Sequence, residues 1–293
     1  MTNTSKKSDQ SFSLGKTVLF ALALIAVFIL VAVLCELLTS WITFKPLKIL
    51  IREIFLRLPL TIFSLHLLAT RVIKVYNPGA IYGKLNLVNA IKWLALGLIL
   101  PLAVWLFYYL FHYAVPFKHS VSLSAADKLS LVAEWVAISI AAGLTEETLF
   151  RGHLFMIFKT RFSTPAAILI TSFIFGLVHI AMLTSFGPID VLMVVAGGIM
   201  AGAMFSAIYA YTKVIWYAAI VHIIWDIFFI GKITVLAAGQ SEADRAILSF
   251  KLIKQSLLLS GGNFGIEAAV PCLMVYLTVS FVLFYLCRRG VVI

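Results

Sequence analysis

Long apolar runs separated by short polar stretches dominate the chain. Runs near 18–40, 49–70, 91–115, 128–158, 165–184, 189–211, 214–233 and 267–287 each approach the roughly 20 residues that a helix needs to cross a bilayer. The pattern predicts an all-α fold, a polytopic transmembrane helical bundle of about eight spans, with seven as the alternative count. The second run carries Arg52, Glu53 and Arg57 in its first half, the mark of an interfacial amphipathic helix that leads into a shorter span. The fourth exceeds the bilayer thickness and holds several charges, so it is expected to tilt or to break near Gly143. Residues 1–16 form a polar, basic tail. The apolar run that follows is too long for a signal-peptide core and lacks a small-residue cleavage site, so it reads as a retained anchor. The stretch 234–266 reads as a long polar external loop, with a turn at Gly261-Gly262-Asn263 before the last span.

Composition sharpens this picture. Apolar residues make up 62% of the chain and charged residues only 12%, about half the ~25% usual in soluble domains, and mean hydropathy is +1.07. A water-soluble surface cannot be assembled from so few polar side chains, which excludes a soluble enzyme and a disordered protein. The net charge of +11 would suggest nucleic acid in a soluble domain. Here the basic residues lie between apolar runs, where they set topology and meet the headgroups of the lipid bilayer, so no nucleic-acid partner is expected. With the amino terminus inside, the inner segments carry the larger share of Lys and Arg, among them Lys6, Lys7, Lys16, Arg288 and Arg289. Both termini are therefore expected on the cytoplasmic side. Cys35, Cys272 and Cys287 lie in apolar runs without metal-ligand spacing, and Trp41, Trp93 and Trp216 fall at predicted span ends as belt residues.

Charges inside the apolar runs carry the chemistry. A charged side chain at the centre of a lipid-facing helix costs roughly 2.5–3.5 kcal/mol. Glu146, Glu147, Arg151 and Asp226, left unpaired, would therefore cost on the order of 10–14 kcal/mol, as much as the ~5–15 kcal/mol by which whole proteins are stable. They must pair, reach water or bind an ion, and His179 and His222 belong to the same group. Glu147 and Arg151 are four residues apart and share a helix face, leaving Glu146 without a local partner. His222 and Asp226 have the same spacing, so Asp226 is expected to accept from the His222 ring and fix its tautomer. At ~1.5 Å per residue from the expected inner span ends, Glu146, His179 and His222 lie ~20, ~22 and ~14 Å deep. Three helices can thus bring them to one intramembrane site.

These residues resemble a family. Glu146-Glu147-Thr148-Leu149-Phe150-Arg151 matches the EExxxR motif of the CAAX-protease and bacteriocin-processing (CPBP, or Abi) intramembrane proteases. Phe175 to His179 is similar to that family's FxxxH motif, and His222 to Asp226 to its third motif, His followed four residues later by Asn or Asp. The glycine-rich stretch from Gly197-Gly198 to Tyr211 looks right for the helix between the last two motifs. The resemblance covers about 143–227 and implies a catalytic core over 128–233, between amino-terminal helices (17–127) and a last helix with a short basic tail (267–293). It implies that Glu146 is the general base, that His179 helps bind and orient the attacking water, and that His222 donates to the developing oxyanion. Glu147 and Arg151 become the supporting pair. Asp226 departs from the Asn variant of the motif: an ionised carboxylate only accepts hydrogen bonds, so it orients His222, is protonated, or ligates a metal. The family is often called metalloprotease, and Glu146, His179, His222 and Asp226 would suit a divalent metal such as Zn2+; a metal-free water site would use the same residues.

The leading expectation is an intramembrane endopeptidase acting on a membrane-associated peptide or protein partner in a bacterial cell membrane. Its task would be CAAX-type processing, maturation of a peptide pheromone or bacteriocin, or self-immunity. A non-catalytic peptide-binding or immunity protein using the same cavity is the alternative, and a proton-coupled transporter is a third class. His66, His112, His119, Glu36 and Glu134 belong to no motif, and for His153, two residues beyond Arg151, support behind the site is the lesser alternative to packing.

Overall fold

The computed structural model describes residues 12–74, 81–120, 122–183, 186–231 and 233–290. Lys6, Lys7, Lys232 and most of the 1–16 tail lie outside these residues. The described part is a bundle of eight long helices: α1 Leu14–Thr39, α2 Lys45–Ile73, α3 Leu87–Leu110, α4 Ala125–Lys159, α5 Thr164–Val178, α6 Pro188–Thr212, α7 Ile215–Phe229 and α8 Val270–Arg288. Seven are long and apolar enough to cross a membrane, counting the turn His179–Met182 with α5, and α7 is a shorter apolar helix. Both expected counts therefore have a basis in the same molecule.

Local chemistry sets the helix starts. Ser124 caps α4 in a reciprocal capping box with Asp127, Asn86 caps α3, and prolines occupy the first turns of α5, α6 and α8. The second run is one continuous helix, Lys45–Ile73, whose charges pair within the protein: Glu53 accepts from Arg52 at 2.8 Å and from Arg57 at 2.9 Å. Glu36, unassigned in the sequence, joins the same cluster through Lys48 and Arg52, and Glu134 pairs with Lys45 at 2.8 Å. Helix α4 does not break at Gly143, where α7 packs instead: a β-carbon there would lie 2.7 Å from the Ile223 side chain. The helix widens instead over Thr148–Leu154 into π-helical turns, a geometry found often at functional sites. Trp93 is no belt residue. It is buried and stacks on Tyr217 at 6.1 Å.

The loop expected over 234–266 contains structure. β2 (Thr234–Leu236) pairs parallel with β3 (Leu248–Leu252), which pairs antiparallel with β1 (Ala114–Pro116). Since β1 follows α3 and β2 follows α7, this small sheet lies at the end of the bundle where α4 begins and α7 stops. Gly261, Gly262 and Gly265 adopt positive φ in the turns ahead of α8.

Helix α6 forms the centre, with 56% of its most apolar window buried against 22% for α1. It meets α5 backbone to backbone. A β-carbon on Gly198 would stand 2.5 Å from Gly176 Cα, and one on Gly202 would stand 2.9 Å from Ser172 Cα. This is the small-residue packing by which helices associate where lipid removes the hydrophobic drive. Gly198→Ala must therefore push α5 and α6 apart. We expect a loss of about 1–3 kcal/mol, read by unfolding in mixed micelles, together with weakened function, because His179 sits on the end of α5. Unchanged stability would show that the helices can slide to accept the methyl.

Candidate active site

The four sequence-predicted residues Glu146, His179, His222 and Asp226 line one cavity of about 220 Å3. It lies between α4, α5, α6 and α7, and is also lined by Arg57 of α2 and, from α8 and the segment before it, by Tyr276, Phe264 and Glu267. Gly197, Gly198 and Ala201 of α6 make the room, since their faces carry no bulk.

Glu146 and Glu147, one residue apart, face different surroundings. Glu147 is wholly buried, and its Oε1 accepts from Arg151 Nη1 at 2.9 Å and from the His222 Nδ1 at 2.8 Å. The remaining part of the guanidinium donates from Nη2 to the Gly202 carbonyl at 3.0 Å and lies 4.6 Å from the Phe175 ring centroid and 5.2 Å from that of Phe205. Phe205 in turn stacks on His222 at 4.4 Å. One Arg–Glu pair therefore ties α4 to α5, α6 and α7. Glu146 Oε2 is buried, makes no hydrogen bond and stands 3.9 Å from His222 Nε2. It is the carboxylate that spacing left free, and it faces the cavity.

The tautomers follow from the partners. His179 Nδ1 lies 2.7 Å from the Phe175 carbonyl oxygen, which can only accept, so Nδ1 carries the proton. Nε2 is then the basic nitrogen. A carboxylate likewise requires a proton on His222 Nδ1, and here the expected partner is corrected. Glu147, on another helix, fixes the His222 tautomer, whereas Asp226 sits 3.5 Å from Nε2 without a hydrogen bond. Helical spacing brought Asp226 close but did not align it. His153 is buried behind the π-helical turns and does not line the cavity.

One carboxylate escaped sequence reasoning. Glu267 lies in the segment before α8, lines the cavity and accepts from Trp225 Nε1 at 2.9 Å. Burial pushes its carboxyl up to about 7, with the indole hydrogen bond opposing. The signal was present in two parts: an acid just ahead of an apolar span, and a mid-span tryptophan whose N–H needs an acceptor.

The donor set was tested against a bound metal. Among the described residues, no three His, Cys, Asp or Glu side chains converge closely enough to hold an ion. Each histidine donates Nδ1–H to a protein acceptor and leaves Nε2 available, so two imidazole nitrogens but no three-ligand set are offered to an ion by the described residues.

A family model described as Rce1-like, type II CAAX prenyl endopeptidase, matches residues 128–228, the span that holds all three motifs. No curated protein and no solved structure matches the chain. The charged cavity residues Glu146, His179, His222 and Asp226 all fall within the matched segment, and residues 128–228 are similar to that family.

Proposed function

We propose that the protein is an intramembrane endopeptidase that hydrolyses a peptide bond near the end of a membrane-associated peptide or protein. The observation that carries this reading is Glu146: a half-buried carboxylate whose buried Oε2 makes no hydrogen bond, in one cavity with two histidines that both hold a proton on Nδ1. In the proposed reaction, a water in the cavity gives one proton to Glu146 Oε2 while its remaining O–H donates a hydrogen bond to His179 Nε2. The water oxygen bonds to the scissile carbonyl carbon, whose oxygen becomes an oxyanion. With Nδ1–H committed to Glu147, His222 can donate to that oxyanion from Nε2 only as the doubly protonated ring, and Glu146, Glu147 and Asp226 surround it with balancing charge. Collapse breaks the C–N bond, and the proton held by Glu146 passes to the leaving nitrogen.

The test is a survey of peptide termini in membranes from cells carrying wild type or Glu146→Gln at matched abundance. Termini found only with wild type support the reading and name the substrate. Coincident surveys with a persisting wild-type phenotype in the mutant overturn it in favour of a non-catalytic peptide-binding protein. The site chemistry also sets an expectation for chelation. Purified protein incubated with a zinc chelator and then freed of it should keep its full cleavage rate; loss of activity restored by Zn2+ would place a metal in the mechanism.

A further inference from the structure

The three strands of the small sheet lie outside the matched residues 128–228. Their order is β1-β3-β2, so β1 and β2 are the edges. On β1, Pro116 brings no N–H to the outer side, which blunts that edge. β2 has no such block. It bonds to β3 through alternate residues: the Leu248 N–H donates to the Ile233 carbonyl at 2.8 Å, and the Ala237 N–H to the Phe250 carbonyl at 2.8 Å. The parallel register, which sets Val235 opposite Ser249 and Leu236 opposite Phe250, then turns the N–H and C=O of Leu236 away from β3. Neither group has a hydrogen-bond partner among the described residues. An edge strand with unmet main-chain groups is a template for a further strand.

The place of this edge names its occupant. Leu236 lines a second cavity, of about 260 Å3. The next outward N–H along the chain, that of Ala238, is met by Glu242 at 3.0 Å, and Glu242 lines the same cavity. The outer side of β2 is thus the side of that cavity. Met182, Ile230, Phe264 and Glu267 line both this cavity and the one that holds Glu146, so the two share a wall. Ile230, at the end of α7, stands about two turns beyond His222, ~12 Å at 1.5 Å per residue, which an extended chain covers in about four residues. A peptide presented to Glu146 must itself be extended, because a helix keeps its carbonyls in its own hydrogen bonds. We propose that the open edge of β2 takes up the substrate as an added strand, main chain to main chain, about four residues from the scissile bond. This deepens the peptidase reading and rests on it. Main-chain pairing holds the peptide extended and leaves its side chains free to vary at that point.

The test uses the full chain in lipid nanodiscs, in a Glu146→Gln background that holds peptide uncleaved. The tightest binder retained from a mixture of random decapeptides is the probe, remade with a single N-methyl group at each position in turn. Each methyl removes one N–H, and an added strand turns its N–H groups to the edge at every second residue. Binding should therefore fall about threefold to tenfold at alternating positions. Leu236→Pro removes the edge N–H and should weaken the unmethylated probe to a similar extent, flattening the alternation. Leu236→Ala keeps that N–H and should do neither. If the proline variant fails to fold, the methyl scan alone decides. No retained peptide, a scan without alternation, or proline and alanine variants that fold and behave alike overturns the added strand. Cleavage of the probe by the unmodified chain separates the two readings. The sensitive positions should lie about four residues from the cut bond, and sensitivity confined to the bond's own neighbours also overturns the added strand. A probe that is cut without alternation sustains the peptidase and removes the strand, whereas alternation in a probe that is never cut removes the peptidase and leaves a peptide-binding edge.

Discussion

Glu146→Gln removes cleavage while leaving the fold intact. The expected fall in kcat is about 10^2–10^4-fold, the range for loss of a positioned general base, with little change in KM. Glutamine keeps the shape of the side chain but cannot take a proton from water. The fold is expected to survive because Glu146 Oε2 makes no hydrogen bond to the protein, so no partner is stranded by the change. The same substitution one residue later gives the opposite pattern. Glu147→Gln weakens the acceptor shared by Arg151 and His222 and should damage stability as well as rate. Measuring kcat, KM and unfolding for both variants distinguishes the two carboxylates. Retained activity in Glu146→Gln would exclude the proposed base.

Arg151→Met is expected to destabilise the bundle by about 3–5 kcal/mol, the cost of leaving a buried charge without its partner. Arg151 is 1% exposed and Glu147 fully buried, so no solvent is available to screen the carboxylate that remains. The loss also reaches other helices. Arg151 holds the Gly202 carbonyl of α6 and lies against Phe175 of α5 and Phe205 of α6. The double substitution Glu147→Gln with Arg151→Met should recover a large part of this stability, because it removes both charges. It should recover no activity, since His222 loses the carboxylate that balances its doubly protonated ring. Reversible unfolding in SDS-containing micelles and a cleavage assay read the two effects. A single variant as stable as wild type would show that Glu147 reaches another partner.

Much of this protein is legible along the chain because lipid imposes a simple rule. Backbone groups in hydrocarbon must be satisfied internally, so long apolar runs become helices, and the predicted spans match the observed ones closely. The same rule makes intramembrane charges costly and draws attention to Glu146, Glu147, Arg151 and Asp226. Helical spacing then pairs Glu147 with Arg151 and frees Glu146. Where the reading failed, the partner came from another helix. Spacing assigned the His222 tautomer to Asp226, but Glu147 of α4 supplies it. Arg52, Glu53 and Arg57 suggested an interface although Glu53 pairs with both within α2; the contact that spacing could not show is that of Arg52 with Glu36 of α1.

The helical class, the charged residues that need a shared interior and the choice of the free carboxylate are all written along the chain. Each of these follows from periodicity along one helix and from the cost of charge in lipid. The tertiary structure alone decided which groups meet across helices. It brought Glu267 into the cavity from the segment before α8, gave His222 to Glu147, and led Arg57 from α2 to the cavity wall. Those contacts depend on how closely α5, α6 and α7 approach, which is set by glycines such as Gly176 and Gly198 through packing distances that no spacing within one helix encodes.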